Sequence, residues 1–163
     1  MSNPPKPKPF PHDFEDLEFS IEQEEWNEYE LKDGATVKGR VFLTKIMRNP
    51  YDPKDMKFSF SIPVWAVYAP ASMRGPPDKR PPEEIASERK TDPKYEVHVN
   101  RNHEPWNVYR ILRTGQKLKI KLTIDEVYRY TDKFDGLGLP LYNVPSGIAV
   151  NISGQQIQKT EGP

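Results

Sequence analysis

Lys117, Lys119 and Lys121 alternate with Leu118, Ile120 and Leu122 in the stretch "KLKIKLTI" (117–124). In an extended segment, that alternation places three ammonium groups on one side and an apolar row on the other. A row of ammonium groups attracts phosphates by releasing their counterions, and nearby aromatic faces stack on unpaired bases at roughly 1–3 kcal/mol per base. Lys38 and Arg40 repeat the pattern in "TVKGRV" (36–41), against Val37, Gly39 and Val41. The expected binding set is therefore Lys38, Arg40, Lys117, Lys119 and Lys121, with Trp65 outward on a strand and Tyr51, Phe134 and Tyr142 in loops as stacking groups. The set is one surface only if the two β-segments lie side by side and turn their cations the same way. The plainer alternative is a solvated strand face, where lysine is routine and discourages aggregation at a sheet edge.

Catalytic and metal chemistry have less to stand on. His98 and His103 are five residues apart, which fits neither the i, i+4 spacing of a helical site nor the i, i+2 spacing of one strand face. No serine sits in a Gly-x-Ser-x-Gly elbow, and Gly136-Leu137-Gly138 lacks the rest of a phosphate-binding loop. With no cysteine there is no thiolate nucleophile, no Cys-ligated zinc and no disulfide framework. The expectation is a non-catalytic binding module with no metal and no cofactor.

Charge is distributed unevenly. The net charge of the 163 residues is zero, yet Asp13 to Glu30 holds nine acidic residues and no basic one, interleaved with Phe14, Phe19, Ile21, Trp26 and Tyr29. The rest of the chain is mildly basic. Carboxylates threaded with aromatics imitate a nucleic-acid strand, so this acidic arm is expected to fold against the basic face of its own chain or of a neighbouring copy. Self-association or a protein partner through residues 13–30 is the alternative function, with the Pro-rich loop and a free strand edge at Pro63 as further contacts. The N-terminus has no apolar signal core and no apolar run reaches 18 residues, so a cytoplasmic protein without a membrane span is expected.

The elements that must position these residues are mainly strands. Residues 1–12, with five prolines, read as an extended tail; their "PPKP" fits a PxxP ligand only formally. Asp33-Gly34 marks a tight turn between two short strands spanning 28–37. Residues 36–48 and 57–68 read as strands, the second with Phe58, Phe60, Ile62, Val64 and Tyr68 inward and Trp65 outward. Pro63 cannot donate to a ladder and so implies an edge or a bulge. Residues 69–93, with six prolines, read as a long surface loop, and 94–100 as a short strand. Pro105 near the start and Gly115 at the end suggest a short helix over 104–115. A long strand follows from 117, with a break near Asp125 where the alternation fails, and then a last strand interrupted at Pro145 and Ser146. Residues 154–163 read as a frayed tail, and no internal repeat is apparent. Five main strands with a helix between the third and fourth match the element order of an OB-like barrel, closed or partly open, over a single domain of residues 13–153; a β-sandwich is the alternative.

Overall fold

The computed structural model describes residues 13–89 and 91–153. The two tails expected at 1–12 and 154–163 lie outside the described residues. The chain is mainly β. Its strands are β1 (Glu15–Leu17), β2 (Phe19–Gln23), β3 (Asn27–Leu31), β4 (Thr36–Arg40), β5 (Leu43–Asn49), β6 (Asp52–Phe60) and β7 (Val64–Tyr68). After a linker come β8 (Lys94–Val97), β9 (Val99–His103), β10 (Asn107–Ile111), β11 (Lys117–Ile124), β12 (Val127–Phe134), β13 (Pro140–Asn143) and β14 (Ser146–Ser153). The linker holds a 3-10 turn at Ala71–Met73 and one helix, α1 (Pro82–Arg89). No helix among the described residues is long and apolar enough to cross a membrane.

The strands form four antiparallel sheets, ordered β1-β5-β6, β14-β11-β10-β2, β13-β12-β8 and β7-β4-β3-β9. Among the described residues none closes on itself, so the five-stranded OB-like closure expected from element order is not seen there. The expected helix over 104–115 is the β10–β11 hairpin instead. Asn107, Tyr109 and Ile111 are buried with period two, and Gly115, at φ 73°, is the turn glycine rather than a helix stop. The Asp33-Gly34 hairpin forms as expected, with Gly34 at φ 102° and the Asp33 carboxylate accepting the Ala35 N–H at 3.0 Å.

Behind the four sheets is a duplication. Glu24-x-Trp26-Asn27-x-Tyr29-x-Leu31 recurs as Glu104-x-Trp106-Asn107-x-Tyr109-x-Ile111. β3 pairs with β4 with Asn27 opposite Gly39 and Tyr29 opposite Val37; β10 pairs with β11 with Asn107 opposite Ile120 and Tyr109 opposite Leu118. The remaining strands correspond in order, β1 to β8, β2 to β9, and β5, β6 and β7 to β12, β13 and β14. Each half also lends a strand to the other: β2 pairs with β10 and β9 pairs with β3.

The two apolar cores are shared in the same way. Leu17, Val41, Leu43 and Ile46 of the first half pack with Tyr109, Ile111, Leu118 and Ile120 of the second. Tyr29, Leu31 and Val37 of the first half pack with Val97 and Val127 of the second. Buried polar groups are reciprocal too. The Asn27 side-chain amide donates to the Leu122 carbonyl at 2.6 Å, and that of Asn107 donates to the Val41 carbonyl at 3.0 Å. The Tyr29 hydroxyl donates to Glu104 at 2.8 Å, and the Tyr109 hydroxyl to Glu24 at 2.5 Å. Burial, with the adjacent carboxylate adding to it, pushes both phenols well above the usual tyrosine value.

One position departs from the duplication by a volume exchange. Where the second half pairs Ile120 with Val150 across β11 and β14, the first pairs Gly39 with Trp65 across β4 and β7. Trp65 packs against both cores, and a Cβ at Gly39 would lie 2.2 Å from its ring. Trp65 is thus turned inward, against the expected outward placement. Residues 61–63 separate β6 from β7 and reverse the parity: Ile62, expected inward, is 84% exposed, and Val64 and Tyr68 also face solvent. Gly39→Ile alone should therefore destabilise the protein by about 1–3 kcal/mol or more through overpacking, and Trp65→Val alone by several through a cavity. The double variant should lose clearly less than the sum of the two, as read by urea unfolding in a double-mutant cycle; strict additivity would disprove the exchange.

Candidate polyanion interface

The cations expected to form one surface belong to two sheets. β4, with Lys38 and Arg40, pairs with β3 and β7, whereas β11, with Lys117, Lys119 and Lys121, pairs with β10 and β14. The side-by-side placement of the two strands is thus corrected: they are equivalent strands of the two halves and not neighbours. What β4 and β11 share is position, Lys38 matching Lys119 and Arg40 matching Lys121.

Their surroundings differ, and the difference lies in charge. On the outward face of β10 and β11 the positions are Val108, Arg110, Lys117, Lys119 and Lys121, with Arg110 directly opposite Lys117. The equivalent positions on β3 and β4 are Glu28, Glu30, Thr36, Lys38 and Arg40, with Glu28 opposite Lys38. On these two strands four cations without an acid stand against two cations and two acids; the outer strands narrow the contrast, β2 adding Glu22 to the first face and β9 adding Arg101 to the second. Arg40 is further occupied: it pairs with Glu24 at 3.0 Å and lies between the rings of Trp26 and Phe42, 5.7 and 5.8 Å from their centroids. Lys38 lies 5.0 Å over the Tyr68 ring, and Glu30 pairs with Arg101.

On the β11 face the lysines project at intervals of about 6.7 Å along the strand. Lys121 lies 5.0 Å over the Trp106 ring. Lys117 pairs with Glu22 at 3.3 Å, and Arg110 pairs with the same carboxylate at 3.2 Å. Lys119 has no ion-pair partner among the described residues. Exposed pairs of this kind are weak and screened by salt, too weak to hold a lysine away from a phosphate. Glu22 comes from the acidic arm, which pairs edge-on through β2 and β1 rather than lying across the face. Its other carboxylates are used nearby: Glu15 pairs with Arg48 and Arg113, and Asp16 with Lys45.

The candidate stacking groups scatter. Trp65 is partly buried and packs against both cores. Phe134, at the end of β12, lies on Gly75 of the linker, where a Cβ would come within 2.3 Å of the ring. Tyr142 is half-buried, its hydroxyl donating to Asp33 at 2.7 Å. Tyr51, at the β5–β6 turn, stays exposed on the sheet opposite β11. The aromatic that does flank the lysines is Trp106, and the additional cation is Arg110. Reading residues 104–115 as a helix concealed both, and the recurrence of Trp-Asn-x-Tyr was the signal that could have exposed them. His103 approaches Glu25 at 3.8 Å on the far sheet, and among the described residues no group of three or more His, Cys, Asp or Glu side chains is placed to hold a metal.

No protein-family model, no curated protein and no solved structure matches the chain. The site therefore rests on its own geometry.

Glu22 is the carboxylate that tempers this face. Its hydrogen bond from Lys117 comes first among the causes that hold its pKa below the usual carboxylate value of 4.5, against a smaller desolvation effect. A depressed carboxylate contributes stability above its unfolded value and loses that contribution as pH falls through the lower folded value. Across neutral pH, Glu22 is therefore charged and offsets one cation of the face. Glu22→Gln at neutral pH should tighten binding of a polyanion and steepen its salt dependence, read by titration of a labelled single-stranded oligonucleotide. Unchanged or weaker binding would show that the β11 face is not the contact.

Proposed function

We propose that the protein is a non-catalytic binding module whose ligand is a single-stranded nucleic acid or a polyanion of like spacing, held on the outward face of β10 and β11. The observation that carries the proposal is the charge difference between equivalent faces. The duplicated scaffold repeats its buried Asn, Tyr and Glu groups in both halves, yet gathers Lys117, Lys119, Lys121 and Arg110 on one sheet only. A purely solvated face has no need of that asymmetry. Ammonium groups along β11 would track the phosphates, and Trp106 at the end of the row would offer a ring to a base.

Protein partnership through the acidic arm has less support, because β1 and β2 already pair within the chain. Exposed Ile62 beside Pro63 is the feature that favours a protein contact instead.

The test is binding of a labelled single-stranded oligonucleotide across a salt series. Log affinity should fall linearly with log salt, with a slope of about −0.7 per phosphate neutralised. Lys119→Ala and Lys121→Ala should each weaken binding and reduce the slope by roughly one contact, while Lys38→Ala on the other sheet should leave both unchanged. No salt-dependent binding, or equal losses from Lys38→Ala and Lys119→Ala, would reject the proposal. Recovery of a partner insensitive to nuclease would favour the protein-contact alternative.

A further inference from the structure

β14 ends its sheet. It pairs with β11 over its full eight residues, Ser146 opposite Ile124 through Ser153 opposite Lys117, and among the described residues its other side meets no strand. Alternate residues along that side direct N–H and C=O groups outward, which makes an unpaired edge a template for another strand. Natural edges are blunted by charge, proline or brevity, and among the described residues most of the other outer strands follow that rule. β2 carries Glu22, β9 carries Arg101, and β6 carries Pro53 and Lys57. β1 has three residues, β13 four, and β8 four with Lys94 and Glu96; β7 also lacks charge and proline but has five residues against eight in β14. β14 reads "SGIAVNIS", with neither charge nor proline in eight residues. Val150 is 44% exposed on the side of the strand that faces the core.

We propose that this edge is a self-association surface, taking up β14 of a second copy in antiparallel register about a two-fold axis. The choice of a second copy follows from the charge pattern. When identical edges pair about a two-fold, the charges of one strand face the same strand's charges in the second copy, and like charges across a ladder are destabilising. β14 escapes that cost, and a second β14, in a register that keeps core-side residues opposite core-side residues, pairs along nearly the whole edge while covering Val150. An antiparallel join requires the axis to be perpendicular to the sheet, so both copies turn the same face to the same side. The two four-stranded sheets become one of eight strands. The β11 strands then lie three steps apart, about 14 Å, with both lysine rows on one surface.

The inference does not rest on the polyanion reading, and its test contains no nucleic acid. The mass of the full chain is measured by light scattering or sedimentation over a wide concentration range. The expected result is a rise from 18.9 kDa to twice that value, with amide hydrogen exchange at residues 146–153 slowing as concentration rises. The variant Ala149→Glu/Asn151→Glu sets new carboxylates opposite Lys121 and Lys119 within one chain but against each other across the join. It should unfold no more easily than the original protein and remain at the single-chain mass. A chain that stays at 18.9 kDa at every soluble concentration overturns the proposal, as does a folded variant that doubles its mass like the original. Exchange at β14 that is independent of concentration also counts against it. Oligonucleotide binding can then be judged separately in either outcome.

Discussion

Each half of this protein buries polar groups whose hydrogen bonding the other half completes. Asn27 gives its amide to the carbonyl of Leu122, and Asn107 gives its amide to the carbonyl of Val41. Tyr29 and Tyr109, both fully buried, direct their hydroxyls to carboxylates of the opposite half. An unsatisfied buried donor costs about 1–3 kcal/mol, more than a typical hydrogen bond contributes on balance. Separating the halves would leave several such groups unpaired at once, together with both shared cores. The exchange of β2 and β9 follows the same logic, since each arm completes the sheet of the half it does not belong to. The linker of residues 69–93 makes this possible within one chain. It is itself held down, with the Gly75 N–H donating to the Gly138 carbonyl at 3.0 Å and the Asp78 N–H to the Asp135 carbonyl at 2.9 Å.

Within this constraint the halves have diverged where the scaffold permits. The buried Asn, Tyr and branched positions keep their chemistry because the reciprocal contacts demand it. Gly39 with Trp65 against Ile120 with Val150 shows a core position changed by exchanging volume across a strand pair. Outward positions carry no such demand, and there the halves part in charge: Glu28 and Glu30 against Val108 and Arg110, Thr36 against Lys117. A duplicated frame with one altered face is a simple physical route to a binding surface, because changing outward side chains leaves packing intact.

The duplication was hard to see in the sequence for identifiable reasons. Its offset is 80 residues from Trp26 to Trp106, then 81 after the longer turn around Gly115, and 85 from Trp65 to Val150. The matching residues are mostly generic strand formers, so only Glu-x-Trp-Asn-x-Tyr stands out. The helix expected over 104–115 arose from Pro105 and Gly115, both of which serve a strand and its hairpin equally well. Local propensity yielded to a partner strand, β2, that lies more than 80 residues away. The inward placement of Trp65 was concealed by residues 61–63, which break one apparent alternation into two of opposite parity.

The amino-acid order alone determined what depends on near neighbours: the strand character of 117–124 from its period of two, the turn at Asp33-Gly34 from its need for positive φ, and the break near Asp125 from a lapse in alternation. It also determined the absence of thiol chemistry. Tertiary structure decided what depends on pairing at a distance: which strands share a sheet, that β4 and β11 are equivalents rather than neighbours, and that Trp65 faces the core. The physical reason is that a strand is half a structure. Its side-chain period is written along the chain, but the identity of its partner comes from burial and hydrogen bonding gathered across the whole fold.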